Sequence, residues 1–211
     1  MGNVMSIAEP KSRRKDPIER RAEIVSEASQ IAVSEGLERV TAKRVAEKLG
    51  VVPGLVNHYF AAADDLVAAA FGFAVRRERS EIYELAAKQD GPVAQLRCIL
   101  AEWLDPDRDE VSLLWLDAWQ ASRRRPALLD EVVAEMDTDA LELSRLIQSG
   151  VDSGDFVVDE AASAALRIMA LVDGHSVQEA VRTRKDSRVV AAFAVRASET
   201  ELGLPAGALA R

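Results

Sequence analysis

TAKRVAEKLGVVPGLVNHYF, residues Thr41 to Phe60, decides how the rest of the chain is read. Ala42, Val45, Ala46 and Leu49 recur at the spacing of one apolar helix face. Thr41 stands just ahead of that run, where a hydroxyl can cap a helix. Gly50 follows Leu49, the place where a left-handed residue often ends a helix. Pro53 suits the first position of a second helix, because it lacks an N–H and its φ is already helical. Val56 and Phe60 then face back toward the first helix, and Leu55, Asn57 and His58 point outward. Two helices joined by a short turn holding a glycine form a helix-turn-helix, and its second helix is the usual reader of the DNA major groove.

Upstream, Asp16 and Pro17 can cap and open a longer helix. Ile18, Ala22, Val25, Ala28 and Ala32 form its apolar stripe, Ile24 and Ile31 widen it, and Gly36 ends it. Residues 17–60 therefore read as a three-helix unit. Ahead of it, KSRRK at Lys11 to Lys15 is either a solvated tail or an arm that contacts the minor groove or the phosphate backbone.

Downstream, DDLVAAAFGFAVRRERSEIYELAAK from Asp64 runs to about Lys88 without a proline and reads as one long helix. Gly91-Pro92 breaks it. Further helical stretches are Val93 to Leu104, Glu110 to Ser122, Ala127 to about Val151, Asp159 to about Val181, and Arg188 to Glu201. On the fourth helix after the motif, Leu129, Val132, Val133, Met136, Ala140, Leu143, Ile147 and Val151 read as the apolar side. No strand pattern or repeat stands out, so the expected class is all-α with about nine helices. The expected division is a basic arm over 1–16, a helix-turn-helix domain over 17–63, and a larger helical domain over 64–211.

Composition narrows the function. The 211 residues are 48% hydrophobic and only 5% aromatic, which suits a globular helical chain. One cysteine, Cys98, leaves no internal disulfide and points to a reducing compartment, most simply the cytoplasm. No apolar run approaches a membrane span. The net charge of −8 looks wrong for a DNA binder, but it is unevenly spread. Residues 1–60 hold 10 Lys and Arg against 8 Asp and Glu, whereas residues 61–211 hold 17 against 27. A local basic face is what phosphate contact needs. With two histidines and one cysteine, there is no metal-ligand cluster, and neither a phosphate-binding Gly-rich loop nor a nucleophile elbow is present. An enzyme is therefore not expected, and no cofactor. A helical adaptor that binds protein without reading DNA is the alternative.

Arg20 to Phe71 resembles the N-terminal domain of TetR-family transcriptional regulators. The residues that carry the resemblance are Glu35-Gly36, Thr41, Val45-Ala46, Leu49-Gly50-Val51, Gly54, Tyr59-Phe60 and Asp65-Leu66. GLVNHYF looks most like the betaine-regulator (BetI-like) branch. The family pattern has a Tyr at the position of Asn57 and a Lys at that of Ala63, both phosphate contacts, so the sequence departs there. The resemblance implies a homodimer that joins through its last two helices. It also implies a palindromic double-stranded operator and release by a small-molecule effector in the C-terminal domain. Two recognition helices would enter successive major grooves about 34–36 Å apart.

The candidate DNA-binding residues are Thr41, Lys43, Arg44, Pro53, Gly54, Leu55, Asn57, His58 and Tyr59. Lys43 and Arg44 offer cations from the first helix. Gly54 allows close backbone approach, Leu55 suits a thymine methyl, and the Tyr59 hydroxyl points outward. Thr41 caps its helix, offers its hydroxyl to a phosphate, or both. The candidate ligand-pocket residues are Trp103, Trp115, Trp119, Met136, Met169 and His175. Trp115 and Trp119 are four apart and share a helix face. The tryptophans read either as ordinary core or as an aromatic cage for a cation. Asp173 and His175 are two apart and do not face each other. Gly174 inside a helix calls for close helix–helix approach. Leu166, Met169, Val172, Val177, Val189, Val190 and Phe193 suit a dimer face or plain burial.

Overall fold

A computed structural model describes residues 16–105, 109–181 and 187–210. Among them lie nine α-helices, one 3₁₀ turn at Leu37–Arg39, and no strand. The helices are α1 Pro17–Glu35, α2 Ala42–Leu49, α3 Pro53–Tyr59, α4 Ala63–Ala86, α5 Gly91–Trp103, α6 Asp109–Ser122, α7 Pro126–Ser153, α8 Ala161–Val181 and α9 Ser187–Glu201. The Lys11–Lys15 cluster lies outside the described residues.

Local chemistry sets the helix ends. The Asp16 carboxylate accepts from the Ile18 N–H at 2.8 Å, and Pro17 fills the first turn of α1. The Thr41 hydroxyl oxygen accepts from the Arg44 N–H at 3.1 Å. Gly50, with φ +66°, closes α2 in the left-handed region where a side chain is strained. α4 runs 24 residues without a breaker.

Two apolar cores hold the helices together. The first gathers Ile24, Ala28 and Ile31 from α1, Val45 and Ala46 from α2, Val56 from α3, and Leu66, Ala70 and Phe71 from α4. It continues into Leu114 and Ala118 of α6 and Leu128 and Val132 of α7. The second joins Ile82 of α4, Leu96 and Ile99 of α5, Leu143 and Ile147 of α7, Ile168 of α8 and Ala194 of α9. α4 and α7 thus run through both cores and pack on each other along their length. Past α9, Leu209 is buried, and the Arg97 guanidinium donates to the Ala208 carbonyl at 2.7 and 3.0 Å.

Three sequence expectations need correction. On α1, Ile18 is 79% exposed and Ala22 is also exposed, so the buried face begins only at Ile24. On α7, the buried stripe is Leu128, Val132, Glu135, Asp139, Leu143, Ile147 and Gly150, while Leu129, Val133 and Met136 are exposed. Hydrophobicity alone had turned the front of that helix by one residue. The reason is that Arg76 and Arg79 of α4 pair with Glu131, Glu135 and Asp139, so carboxylates occupy buried positions. Lastly, a Cβ at Gly174 would meet nothing within 4 Å, so packing within the chain does not require that glycine. Gly150 is the opposite case, because a Cβ there would overlap the Phe156 ring.

Candidate nucleic-acid interface and ligand cleft

Val56 and Phe60 are buried in the core that α1, α2 and α4 share, and α3 packs chiefly on α2, which leaves the other face of α3 outward. Pro53, Gly54, Asn57 and His58 are exposed, and Leu55 and Tyr59 are half-buried. A Cβ at Gly54 would meet open space, so the backbone there is approachable from outside. The His58 and Tyr59 rings meet edge to face, with centroids 5.3 Å apart. Thr41 and Lys43 are exposed at the start of α2. Asn57 and Ala63 are exposed too, and Ala63 opens α4 with Asp64 and Asp65 in its first turn.

Arg44 is not the freely exposed cation that its sequence position suggests. Its guanidinium donates to the Glu35 carboxylate at 2.9 and 2.7 Å and lies 3.5 Å from Glu47. Lys48 adds a second cation 3.6 Å from Glu35. These hydrogen bonds and charges hold the Glu35 carboxyl below the usual carboxylate range. The pair ties the end of α1 to α2. Arg21 on α1 stacks over the Phe60 ring at 4.8 Å.

The tryptophans meet in a cleft between α4, α5, α6, α7 and α8. Trp103, Trp115, Trp119 and Met169 line its inner part with Arg79, Asp139 and Asp173. Met136 joins Trp115, Trp119, Asp139, Met169 and Asp173 in its outer part. His175 is buried and lines neither part. The inner volume is about 40 Å³ and the outer about 220 Å³. Trp115 stands edge-on to Phe71 at 5.0 Å and 5.7 Å from Trp119. The Trp119 Nε1 is buried without a protein acceptor among the described residues.

Charge in the cleft is negative. Along the α4–α7 seam, Arg76 and Arg79 face Glu131, Glu135 and Asp139, two guanidiniums against three carboxylates. Asp173 adds another, its carboxyl pushed up to about 6 by burial and by the neighbouring Asp139. Burial also raises Asp139, and Arg79 pulls the other way. Arg79, Asp139 and Asp173 are the cleft residues that hydrophobic periodicity missed. The available signal was spacing: Glu131, Glu135 and Asp139 recur every fourth residue on one α7 face.

Comparison with known proteins completes the picture. Residues 92–202 match the family description "BetI-type transcriptional repressor, C-terminal", and residues 24–70 match "Bacterial regulatory proteins, tetR family". The chain is 25% identical to the HTH-type transcriptional regulator PksA of Bacillus subtilis, over 81% of this chain and 85% of that one. It is 29% identical to the HTH-type transcriptional regulator BetI of Burkholderia thailandensis, over 52% of this chain and 57% of that one. Its fold is similar to a putative transcriptional regulator from Saccharomonospora viridis in complex with choline, with a TM-score of 0.67 and 20% identity. That match covers 84% of this chain and 94% of the other.

Proposed function

The chain belongs to the TetR family of DNA-binding transcriptional regulators, with a C-terminal region of the BetI repressor type, and from that premise we propose a homodimeric repressor released by a small organic cation. Residues 17–63 form the reading head, and residues 64–211 bind the effector and join the two copies in the cytoplasm. The observation that carries the reading is the outward face of α3, where Pro53, Gly54, Asn57 and His58 are exposed over a buried Val56. A helix held this way by α2 presents its first turns to a major groove. Thr41, Lys43 and Tyr59 stand at its borders and suit phosphate contact.

The effector class follows from the cleft. Two tryptophan rings and an excess of carboxylates favour a compact cation over an anion. The choline complex of the structural neighbour supports the same class. The dimer surface follows from exposure. Leu166, Ala170, Gly174 and Val177 form an exposed line of small and apolar residues on α8. Val189, Ala192 and Phe193 are exposed on α9. A second copy packed across these two helices buries them and accounts for Gly174 by close helix approach.

The experiment is a gel shift at low salt with the DNA upstream of the chain's own reading frame. A specific shift that choline reverses supports the reading. A chain that shifts specific and random DNA alike at every salt concentration overturns it.

A further inference from the structure

We propose that Asp173 is the residue that selects a charged effector: of the two carboxylates that line both parts of the cleft, Asp139 is already met by Arg79, and Asp173 is left for the ligand's cation. The inference rests on the reading of the cleft as the effector site, and it names the group that reads charge there.

The inner and outer parts of the cleft share Trp115 and Trp119 of α6, Asp139 of α7, and Met169 and Asp173 of α8. A ligand in the outer part, about 220 Å³, therefore lies against two indole rings and two carboxyl groups. An apolar cavity of roughly 150 Å³ is enough to take benzene, so a compact organic cation fits this space.

The two carboxylates are not equivalent. Arg79 lines the inner part and reaches Asp139 from there, its Nε pairing with that carboxylate. Asp139 thus has its charge answered with no ligand present. Asp173 makes no hydrogen bond or ion pair with a described residue, and its charged neighbour is Asp139, of the same sign. Glu78 lines only the inner part and has a partner of its own. Ionised Asp173 is therefore a cost to the empty protein, through lost hydration and through repulsion. A cation seated between it and the indoles relieves both. A half-buried carboxylate left without a partner in a cleft is where a ligand's opposite charge belongs.

The other walls discriminate less. Trp115 and Trp119 stand 5.7 Å apart and tilted by 41°, a corner that takes a rounded group. Indole faces attract a cation, and they also pack an uncharged hydrocarbon of the same shape. Met136 and Met169 add adaptable apolar surface. The tryptophans and methionines thus select size and shape, and Asp173 selects charge.

The test compares choline with dimethylbutanol, its uncharged isostere in which a quaternary carbon replaces the nitrogen. Full-length protein is titrated with each by calorimetry at about pH 7.5, where Asp173 is ionised. Wild type should prefer choline by about tenfold or more. Asp173→Asn keeps the side chain's size and should bind dimethylbutanol as wild type does. It should bind choline about tenfold more weakly, so that the preference disappears. Asp173→Glu restores the charge and should recover part of the preference. Circular dichroism confirms that both variants are folded. A folded Asp173→Asn chain that keeps the wild-type preference for choline overturns the role of Asp173 and leaves the cationic effector standing. Wild type that binds neither compound, or both equally, overturns the cationic effector and the role of Asp173 with it.

Discussion

Glu35, the last residue of α1, holds Arg44 of α2 by two hydrogen bonds of 2.9 and 2.7 Å. The motif is therefore anchored at its first helix by an ion pair, and at its second by Val56 and Phe60 in the core. The same bond spends a cation that the motif would otherwise turn to phosphate. Lys43, next to it, is exposed.

That difference gives a salt-dependence prediction. Lys43→Ala should lower the slope of log affinity against log salt by about one, the share of a single phosphate contact. Glu35→Gln should raise the slope by up to about one, because it frees Arg44 to swing toward DNA. Fluorescence anisotropy with a labelled operator across about 50 to 200 mM salt reads both. An unchanged slope in Glu35→Gln would show that Arg44 lies out of phosphate reach.

The Asp173 carboxyl, at about 6, gives a pH prediction. Its folded value lies above the unfolded 3.8, so between about pH 4 and 6 the folded chain holds a proton that the unfolded chain has lost. The stability contributed by this group is present at low pH and falls as pH rises through that window. Glu78, Arg79 and Asp139 share the cleft and set the field around it. Asp173→Asn removes the penalty. It should stabilise the protein by about 2 kcal/mol at about pH 7.5, discounted for the water that reaches the cleft, and by nothing near pH 4. Urea denaturation at the two pH values checks this. An equal shift at both would mean that the carboxyl titrates normally.

Gly150 makes a packing prediction. The Phe156 ring lies against the α7 backbone there, where the Gly150 carbonyl accepts from the Asp155 and Phe156 N–H groups at 2.8 and 3.0 Å. Phe156 is itself buried, so it has little freedom to retreat. Gly150→Ala should cost about 1–3 kcal/mol of stability by overpacking, read as a lower melting temperature. A melting temperature at or above wild type would mean that the turn after α7 gives way freely.

The reading head was legible because each of its features is local. Thr41 caps, Gly50 turns, Pro53 starts and Val56 packs, each within a few residues of the partner that explains it. The same held for the helix count, since glycines and prolines mark most ends. The cleft was not legible in the same way. Asp139 looks like a solvated residue until Arg79, sixty positions earlier, is placed beside it. Met136 reads in the sequence as a residue of the apolar side of its helix and of the pocket; it is 41% exposed and lines the outer cleft. His175 fell on the wrong side of α8 for the cleft, because the rotation of a helix packed on several neighbours is set by all of them. Arg44 read as a free cation for a related reason: its charge was visible in the sequence, but its pairing with Glu35, nine residues earlier, was not.

The exposed line on α8 and α9 gives the last prediction. Phe193 is 62% exposed and Val189 70%, an arrangement that leaves a large aromatic ring in water on a single chain. Leu166, Ala170 and Gly174 continue the apolar line on α8. A two-fold contact uses the same patch on both copies, so a charge added at Phe193 is buried twice, once in each half of the contact. Phe193→Glu should turn the dimer into a monomer in light scattering, with helical content kept, since Phe193 is outside both apolar cores. Operator binding should fall with it, because one reading head engages only half of a palindrome. Gly174→Ala separates close approach from plain burial. In a monomer the added methyl meets nothing within 4 Å and gains up to about 1 kcal/mol of helix preference. In a dimer packed through Gly174 it should instead push the helices apart and weaken association. A Gly174→Ala chain that dimerises as tightly as wild type would place the contact elsewhere on the α8–α9 face.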